Sequence, residues 1–182
     1  MSTRAPSPPP STEATLRLLT DDTRALLQTF QLDSVVSHLL RRTHFMAEEL
    51  FHKEFAAESI TPRQKAALIA VAKHPGMTQN ALAEFLCMDR NTVADMVKRL
   101  CAAHMLLRQS APGDLRAYQL FPTAEGVDML NQILARDLEL ERRLIERLPE
   151  EYRPLFIKCL KLLLAAPGAH EESAAARDTP AP

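Results

Sequence analysis

Residues 61–126 read TPRQKAALIAVAKHPGMTQNALAEFLCMDRNTVADMVKRLCAAHMLLRQSAPGDLRAYQLFPTAEG. Thr61, Pro62 and Gln64 form a helix start: a Thr cap, Pro at the first helical position, and Gln placed to close a capping box. The helix stops at His74-Pro75-Gly76, because Pro75 disfavours helical backbone in the residue before it. Thr78 can cap a second helix through Leu86, with Leu82, Phe85 and Leu86 turned inward. Asp89 can cap a third, through about Ala103, that buries Val93, Met96, Val97 and Leu100. Met105–Gln109 and Ala117–Phe121 then read as two strands around a Pro112-Gly113 turn signal. A helix-turn-helix followed by a β-hairpin wing is an arrangement suited to reading double-stranded DNA.

Outward from this stretch the pattern is almost wholly helical. On the N-terminal side an amphipathic piece, Asp21–Phe30, leads into a long helix from about Leu32 to Phe55. Leu32, Val35, Val36, Leu39, Thr43, Met46 and Leu50 fall on one stripe of it at a 3.6 period. On the C-terminal side Thr123 opens a long helix to about Arg147, carrying Leu130, Ile133, Leu134, Leu138, Ile145 and Leu148. A last helix spans roughly Glu150–Leu164, and Pro154 requires it to begin near that residue or to kink. The Pro/Ser/Thr-rich start and the Ala/Pro-rich end bury too little to order themselves. The organisation expected is therefore a disordered tail over 1–14, N-terminal helices over 15–60, a winged helix-turn-helix over 61–122, C-terminal helices over 123–166, and a second tail over 167–182. The fold class is mainly α.

With 182 residues and an apolar fraction of 46% the chain can build a proper core, and four glycines favour helix over sheet. The formal net charge of −1 hides an asymmetry. Residues 60–118 hold eight Lys/Arg against four Asp/Glu, so that segment is +4 and the remainder −5. Cationic charge confined to one region is what a phosphate-binding face requires. Three widely spaced cysteines, Cys87, Cys101 and Cys159, give neither a disulfide framework nor a CxxC metal pattern. The N-terminus has no apolar core of a secretory signal, and no apolar run approaches the roughly 20 residues that span a bilayer. The expected setting is the cytoplasm, with no membrane partner.

The helix beginning at Asp89 leaves Arg90, Asn91, Thr92, Ala94, Asp95, Lys98 and Arg99 outside its apolar face. Arg, Asn and Thr in the first turn of an exposed helix can donate to and accept from base edges in a major groove about 12 Å wide. Thr78 and Gln79, opening the preceding helix, join Asp89 and these residues as candidate DNA contacts. A merely solvated face remains the competing reading of this helix alone. At the hairpin tip Arg116 can enter a minor groove, with Asp114 holding it through a charge-assisted bond.

These residues resemble the MarR family of bacterial repressors. The wing of that family runs approximately D-x-R-x-x-x-V-x-L-T-x-x-G, and here Asp114, Arg116, Leu120, Thr123 and Gly126 occupy the corresponding places. The resemblance covers about residues 32–165. It implies a homodimer in which the first and last helices of two subunits interlock, the Asp89 helix lies in the major groove, and Arg116 sits at the wing tip. Two recognition helices related by a two-fold axis demand a pseudo-palindromic operator. The chain departs from the family pattern at three places. Pro122 replaces the usual Leu, His104 stands where Gly follows the recognition helix, and Asp95 falls where a basic residue is frequent. A carboxylate at Asp95 could accept from a cytosine amino group or repel phosphate.

Two kinds of input can be weighed. Cysteine sensing is disfavoured, because no cysteine precedes Cys87, and Cys87 and Cys101 fit small apolar gaps in the DNA-binding helices. A small ligand is favoured. His38, Arg41, Phe45 and His52 fall within about 60° of one another on the first long helix, offering a ring to pack on and a guanidinium to pair with a carboxylate. The alternative is that Phe45 packs in a dimer interface and the rest are solvated. Since many members of the resembled family respond to phenolic or heteroaromatic acids such as salicylate, urate or hydroxynicotinate, the expected effector is a small aromatic carboxylate. No cofactor is expected. Zinc is disfavoured because His38 and His52 lie about 21 Å apart along the helix and no histidine pair has i, i+4 spacing. No glycine-rich phosphate loop, paired-His metal motif or G-x-S-x-G elbow points to an enzyme. A winged-helix module for protein contacts alone, and a metal-responsive repressor, remain as rivals.

Overall fold

The computed structural model describes residues 12–111 and 114–165, with backbone alone at 12, 14, 15, 111 and 114–117. The chain divides into two compact bodies, residues 1–46 and 47–182.

The first body holds helices α1 (Thr12–Arg17) and α2 (Asp21–Thr29), a single 3-10 turn at Leu32–Ser34, and the first part of α3 (Val36–Glu54). The Thr20 side chain accepts from the Thr23 N–H at 3.2 Å, and Asp21 and Asp22 place negative charge on the first turn of α2. Arg24 pairs with Asp21 and donates to the carbonyls of Leu16 and Leu19 at 3.1 and 3.2 Å, closing the end of α1. An Arg17–Glu13 pair one turn apart adds to that helix. These local bonds explain why helix begins at Thr12, inside the stretch expected to be tail. The 3-10 turn likewise divides the expected Leu32–Phe55 helix, the Leu32 carbonyl accepting from the Val35 N–H. None of the described residues of this body is buried, and Leu26, Leu27, Phe30, Leu32, Val36, Leu39 and Phe45 are exposed. The apolar stripe of this helix therefore lies open along its first half.

The second body begins in the last turns of α3, where Phe51 and Phe55 are buried. It continues with α4 (Pro62–Lys73), β1 (Met77–Thr78), α5 (Gln79–Phe85), α6 (Arg90–Ala102), β2 (Leu106–Ala111), β3 (Asp114–Pro122), α7 (Ala124–Ile145) and α8 (Tyr152–Leu164). Both arms of the capping box form: the Thr61 hydroxyl accepts from the Gln64 N–H at 3.2 Å, and the Gln64 side chain accepts from the Thr61 N–H at 2.9 Å. The three strands are antiparallel in the order β1-β3-β2. The short β1 was not foreseen. Gly76, at φ +86°, reverses the chain after α4 and donates its N–H to the Leu120 carbonyl at 2.8 Å, laying Met77 beside Leu120.

The core joins α4, α5, α6, the sheet and α7. Val93, Met96, Val97 and Leu100 are buried as their spacing predicts, against Leu68, Val71, Leu82, Leu106 and Leu120. One expectation needs correction. Phe85 is 59% exposed rather than inward, its ring edge-on to His74. On α7 the buried stripe is Gly126, Leu130, Ile133, Asp137 and Leu140, so Leu134 and Leu138, each one residue further round, stay exposed. Helix α8 starts at Tyr152, which puts Pro154 in its first turn, where a missing N–H costs nothing. Pro122 similarly closes β3 as its last residue.

Candidate nucleic-acid interface

The wheel of α6 divides cleanly. At about 100° per residue, Arg90, Ala94, Lys98, Asn91, Asp95, Arg99 and Thr92 follow one another round the outer arc, while Met96, Leu100, Val93 and Val97 fill the inner one. Arg90, Asn91, Asp95, Lys98 and Arg99 are exposed; Ala94 and Thr92 are half-buried. Asn91 and Lys98 lie near the middle of the arc.

Asp89 and Thr92 spend their polar atoms on each other. One Asp89 carboxylate oxygen accepts from the Thr92 N–H at 2.9 Å, and the other accepts from the Thr92 hydroxyl. These bonds, the hydroxyl's first, hold the Asp89 carboxyl below the usual carboxylate range. Both residues build the helix start on which the readers stand. Thr78 has a similar task, its hydroxyl accepting from the Ala81 N–H at 3.1 Å at the start of α5. Gln79 beside it is half-buried, its side-chain oxygen without a hydrogen-bond partner among the described residues.

The cations differ in their partners. Lys53, Lys65, Arg136, Arg142 and Arg143 are paired with carboxylates in the fold. Arg63, Arg90, Lys98, Arg99 and Arg108, around α6, make no ion pair among the described residues. Five cations without an ion pair among the described residues thus stand around the recognition helix.

Two depressions flank α6. One, of about 440 Å³, lies between α6, the start of α4 and the last turns of α3, and is lined among others by His52, Arg63, Thr92, Asp95 and Arg99. The other, of about 310 Å³, lies between α6 and β2 and is lined by Ala94, Asp95, Val97, Lys98, Cys101 and Arg108. The guanidinium carbon of Arg108 stands 3.6 Å from the centre of the Tyr118 ring. Sequence reading counted Arg108 only as charge. The register would have found it, because Arg108 faces Leu120, and Tyr118, two residues before Leu120, shares its side of the sheet.

The expected wing-tip side chains, Asp114 and Arg116, lie outside the described residues. Of the expected ligand group, His38 is half-buried and Arg41 and Phe45 are exposed on the first part of α3. His52 belongs to the second body, where its neighbours around the larger depression come from α4 and α6, which spacing along one helix could not reveal. Among the described residues no group of three or more His, Cys, Asp or Glu could hold a metal ion. Cys87, expected in an apolar gap, is exposed at a left-handed φ of 51° in the turn before α6; Cys101 is half-buried. No helix among the described residues is long and apolar enough to cross a membrane.

The profile of the MarR family matches residues 60–118. A putative transcriptional regulatory protein for the hcr operon of Thauera aromatica is 30% identical over 125 residues, covering 68% of this chain and 75% of the relative. The PcaV transcriptional regulator of Streptomyces coelicolor, solved with its natural ligand, is 25% identical with a TM-score of 0.70, covering 74% of this chain and 95% of that one. The repressor CouR, solved on a 23-mer DNA duplex, is 26% identical with a TM-score of 0.66 over the same shares.

Proposed function

This chain belongs to the MarR family of DNA-binding transcriptional regulators, and from that premise we propose that it is a homodimeric repressor of a pseudo-palindromic operator, released by a small aromatic carboxylate. As a transcriptional regulator it is not an enzyme. The observation that carries the DNA reading is the group of unpaired cations around an α6 whose inner arc is wholly buried. Such a helix is fixed from behind and offers Arg90, Asn91 and Lys98 to a groove. Asp114 and Arg116 extend the contact at the wing. Dimerisation is supported by apolar side chains that each body leaves open: Leu26, Phe30, Val36 and Leu39 in one, Leu138, Leu155 and Leu163 in the other. Large apolar side chains left open in this number suit an association site.

For the effector, the larger depression offers Arg63 and Arg99 to a carboxylate and the His52 ring to an aromatic face. His38, Arg41 and Phe45, on the first part of α3, are separate candidates for ligand contact in this reading. Thr92, Asp95 and Arg99 belong to α6 itself, so a ligand seated there bears directly on the recognition helix. The likeness to PcaV, solved with a natural ligand, supports an effector-responsive design.

The test is a mobility-shift titration on random-sequence duplex at about 50 and about 200 mM salt, where a phosphate-contacting dimer loses orders of magnitude in affinity. Affinity indifferent to salt would favour a protein-contact module. Thermal shift with salicylate and hydroxynicotinate reads the effector: binding raises the melting temperature by mass action, and Arg63→Ala with Arg99→Ala abolishes the shift. A shift that survives both substitutions refutes this seat.

A further inference from the structure

The smaller depression, between α6 and β2, is not explained by base reading or by the effector. We propose that it is a seat for one backbone phosphate of the bound duplex, with Arg108 and Lys98 as its cationic walls and Tyr118 as the plate that holds Arg108 in position. The inference rests on the DNA-binding reading above and adds a strand contact apart from the wing tip.

The chemistry begins with the stack. Arg108 lies on the Tyr118 ring through its face, its carbon 3.6 Å from the ring centre. That arrangement uses the π surface of the guanidinium and leaves its N–H groups, all in the plane, directed past the ring edge. Those donors have no carboxylate partner among the described residues. A planar donor fork held by stacking gives up little rotamer freedom on binding, and its geometry matches two oxygens of a phosphodiester.

The other groups fit the same occupant. Lys98 supplies a second cation without an ion pair, one exposed position along the arc from Ala94. Val97 and Ala94 give the apolar part of the lining, and Cys101 is the remaining neutral group. Burial pushes the Cys101 thiol up against the weaker opposing pull of the Arg108 charge, so it adds no negative charge at neutral pH. Asp95 is the one acid in the lining, and it repels an anion toward Arg108 and Lys98. The location selects a duplex over a protein carboxylate: the depression adjoins the outer arc of α6, so a strand bordering the groove that receives Asn91 and Lys98 runs beside β2.

The experiment compares wild type, Arg108→Ala, Arg108→Lys, Tyr118→Phe and Tyr118→Ala on random-sequence duplex across a salt series. Arg108→Ala is expected to lower affinity about tenfold and the log–log salt slope by roughly 0.9, the share of one phosphate. Arg108→Lys keeps the slope but binds more weakly. Tyr118→Phe behaves as wild type, whereas Tyr118→Ala weakens binding. Cys101 gives a second readout that does not depend on any wall substitution. In the Cys87→Ser, Cys159→Ser protein, duplex is expected to slow its alkylation by N-ethylmaleimide at least severalfold, and inorganic phosphate to leave it unchanged. An unchanged slope and affinity for Arg108→Ala overturns the seat while leaving DNA binding intact. Protection of Cys101 by phosphate alone overturns the choice of a duplex as occupant. Failure of the wild type to bind any duplex sinks the parent reading instead, and the seat with it.

Discussion

Lys65 and Asp137, 72 residues apart in the chain, meet with the ammonium nitrogen 2.7 and 2.8 Å from the two carboxylate oxygens. Their side chains are only 13% and 9% exposed, and the pair ties α4 of the DNA-binding lobe to the middle of α7. The ammonium also lies 5.0 Å from the centre of the Phe51 ring and 3.8 Å from Glu141. This asymmetry sets the prediction. Lys65→Met strands a buried carboxylate and is expected to cost about 3 kcal/mol, within the range for breaking a buried pair. Asp137→Asn leaves the lysine with Glu141 and Phe51, and costs less. Replacing both by Met and Leu restores most of the loss. Urea unfolding of the three variants checks the order, and a larger loss for Asp137→Asn would contradict it.

Gly126 is a packing requirement. A Cβ there would stand 2.1 Å from the Met105 carbonyl oxygen, a backbone atom that cannot rotate away. The close approach brings the start of α7 against the entry to β2. Thr123 fixes the same corner, accepting from the Gly126 N–H at 3.0 Å and donating to the His104 carbonyl. Gly126→Ala must push α7 off the sheet, and a loss of about 3 kcal/mol or more is expected, at the upper end for overpacking. A thermal melt unchanged from wild type would show that the corner yields more easily than its geometry suggests.

His104 occupies the position that follows α6, with φ at 57°. A left-handed residue there ends the helix, and a side chain pays a steric cost that glycine avoids. His104→Gly is expected to stabilise by about 0.5–1 kcal/mol, less the added freedom of the unfolded chain. That raises the melting temperature by a few degrees. A lower melting temperature would mean that the His104 side chain contributes more than the backbone strain removes.

His104 also illustrates what could be read in advance. Its place was legible through the resemblance, in whose pattern a Gly follows the recognition helix. The four buried positions of α6 and the Thr61 capping box were legible from the residues alone: each is a local pattern with one physical solution. The apolar stripes of α3 and α7 were not. Periodicity reports which residues share a face, and Leu39 and Leu138 are apolar whether that face meets their own subunit or another surface. The depressions were hidden for a related reason. Arg63, His52 and Arg99 come from three helices, and only tertiary packing sets them around one space. Arg108 lay within reach, since strand register alone pairs its side of the sheet with Tyr118.

Asp89 carries a pH dependence whose sign follows from its bonds. Its folded carboxyl is held below the ordinary range, chiefly by the Thr92 hydroxyl and then by the Thr92 N–H. The ionised cap therefore stabilises α6 fully above the unfolded carboxyl value of about 3.9, and that contribution is lost as pH falls through the lower folded value. Asp89→Asn keeps a capping oxygen but cannot titrate. The gap in melting temperature between wild type and Asp89→Asn is expected to close on acidification below about pH 4 and to stay constant from about pH 5 to 8. A gap that widens in acid would reverse the sign of the argument.

Asn91 and Lys98, near the middle of the exposed arc of α6, should fail in different ways. An amide can donate and accept at once, so Asn91 can distinguish an adenine edge from the other bases, at about 1–3 kcal/mol for a good bidentate contact. Lys98 presents a point charge with three donors, which suits a phosphate and is indifferent to sequence. Selection of bound duplexes from a random pool should therefore give Asn91→Ala a relaxed preference at one position in each half-site. Its salt slope should remain that of the wild type. Lys98→Ala should recover the wild-type sequence preference, with affinity lowered across all sequences and a shallower slope. If the two substitutions exchange these signatures, α6 lies in the groove rotated about its axis from the orientation its buried arc implies.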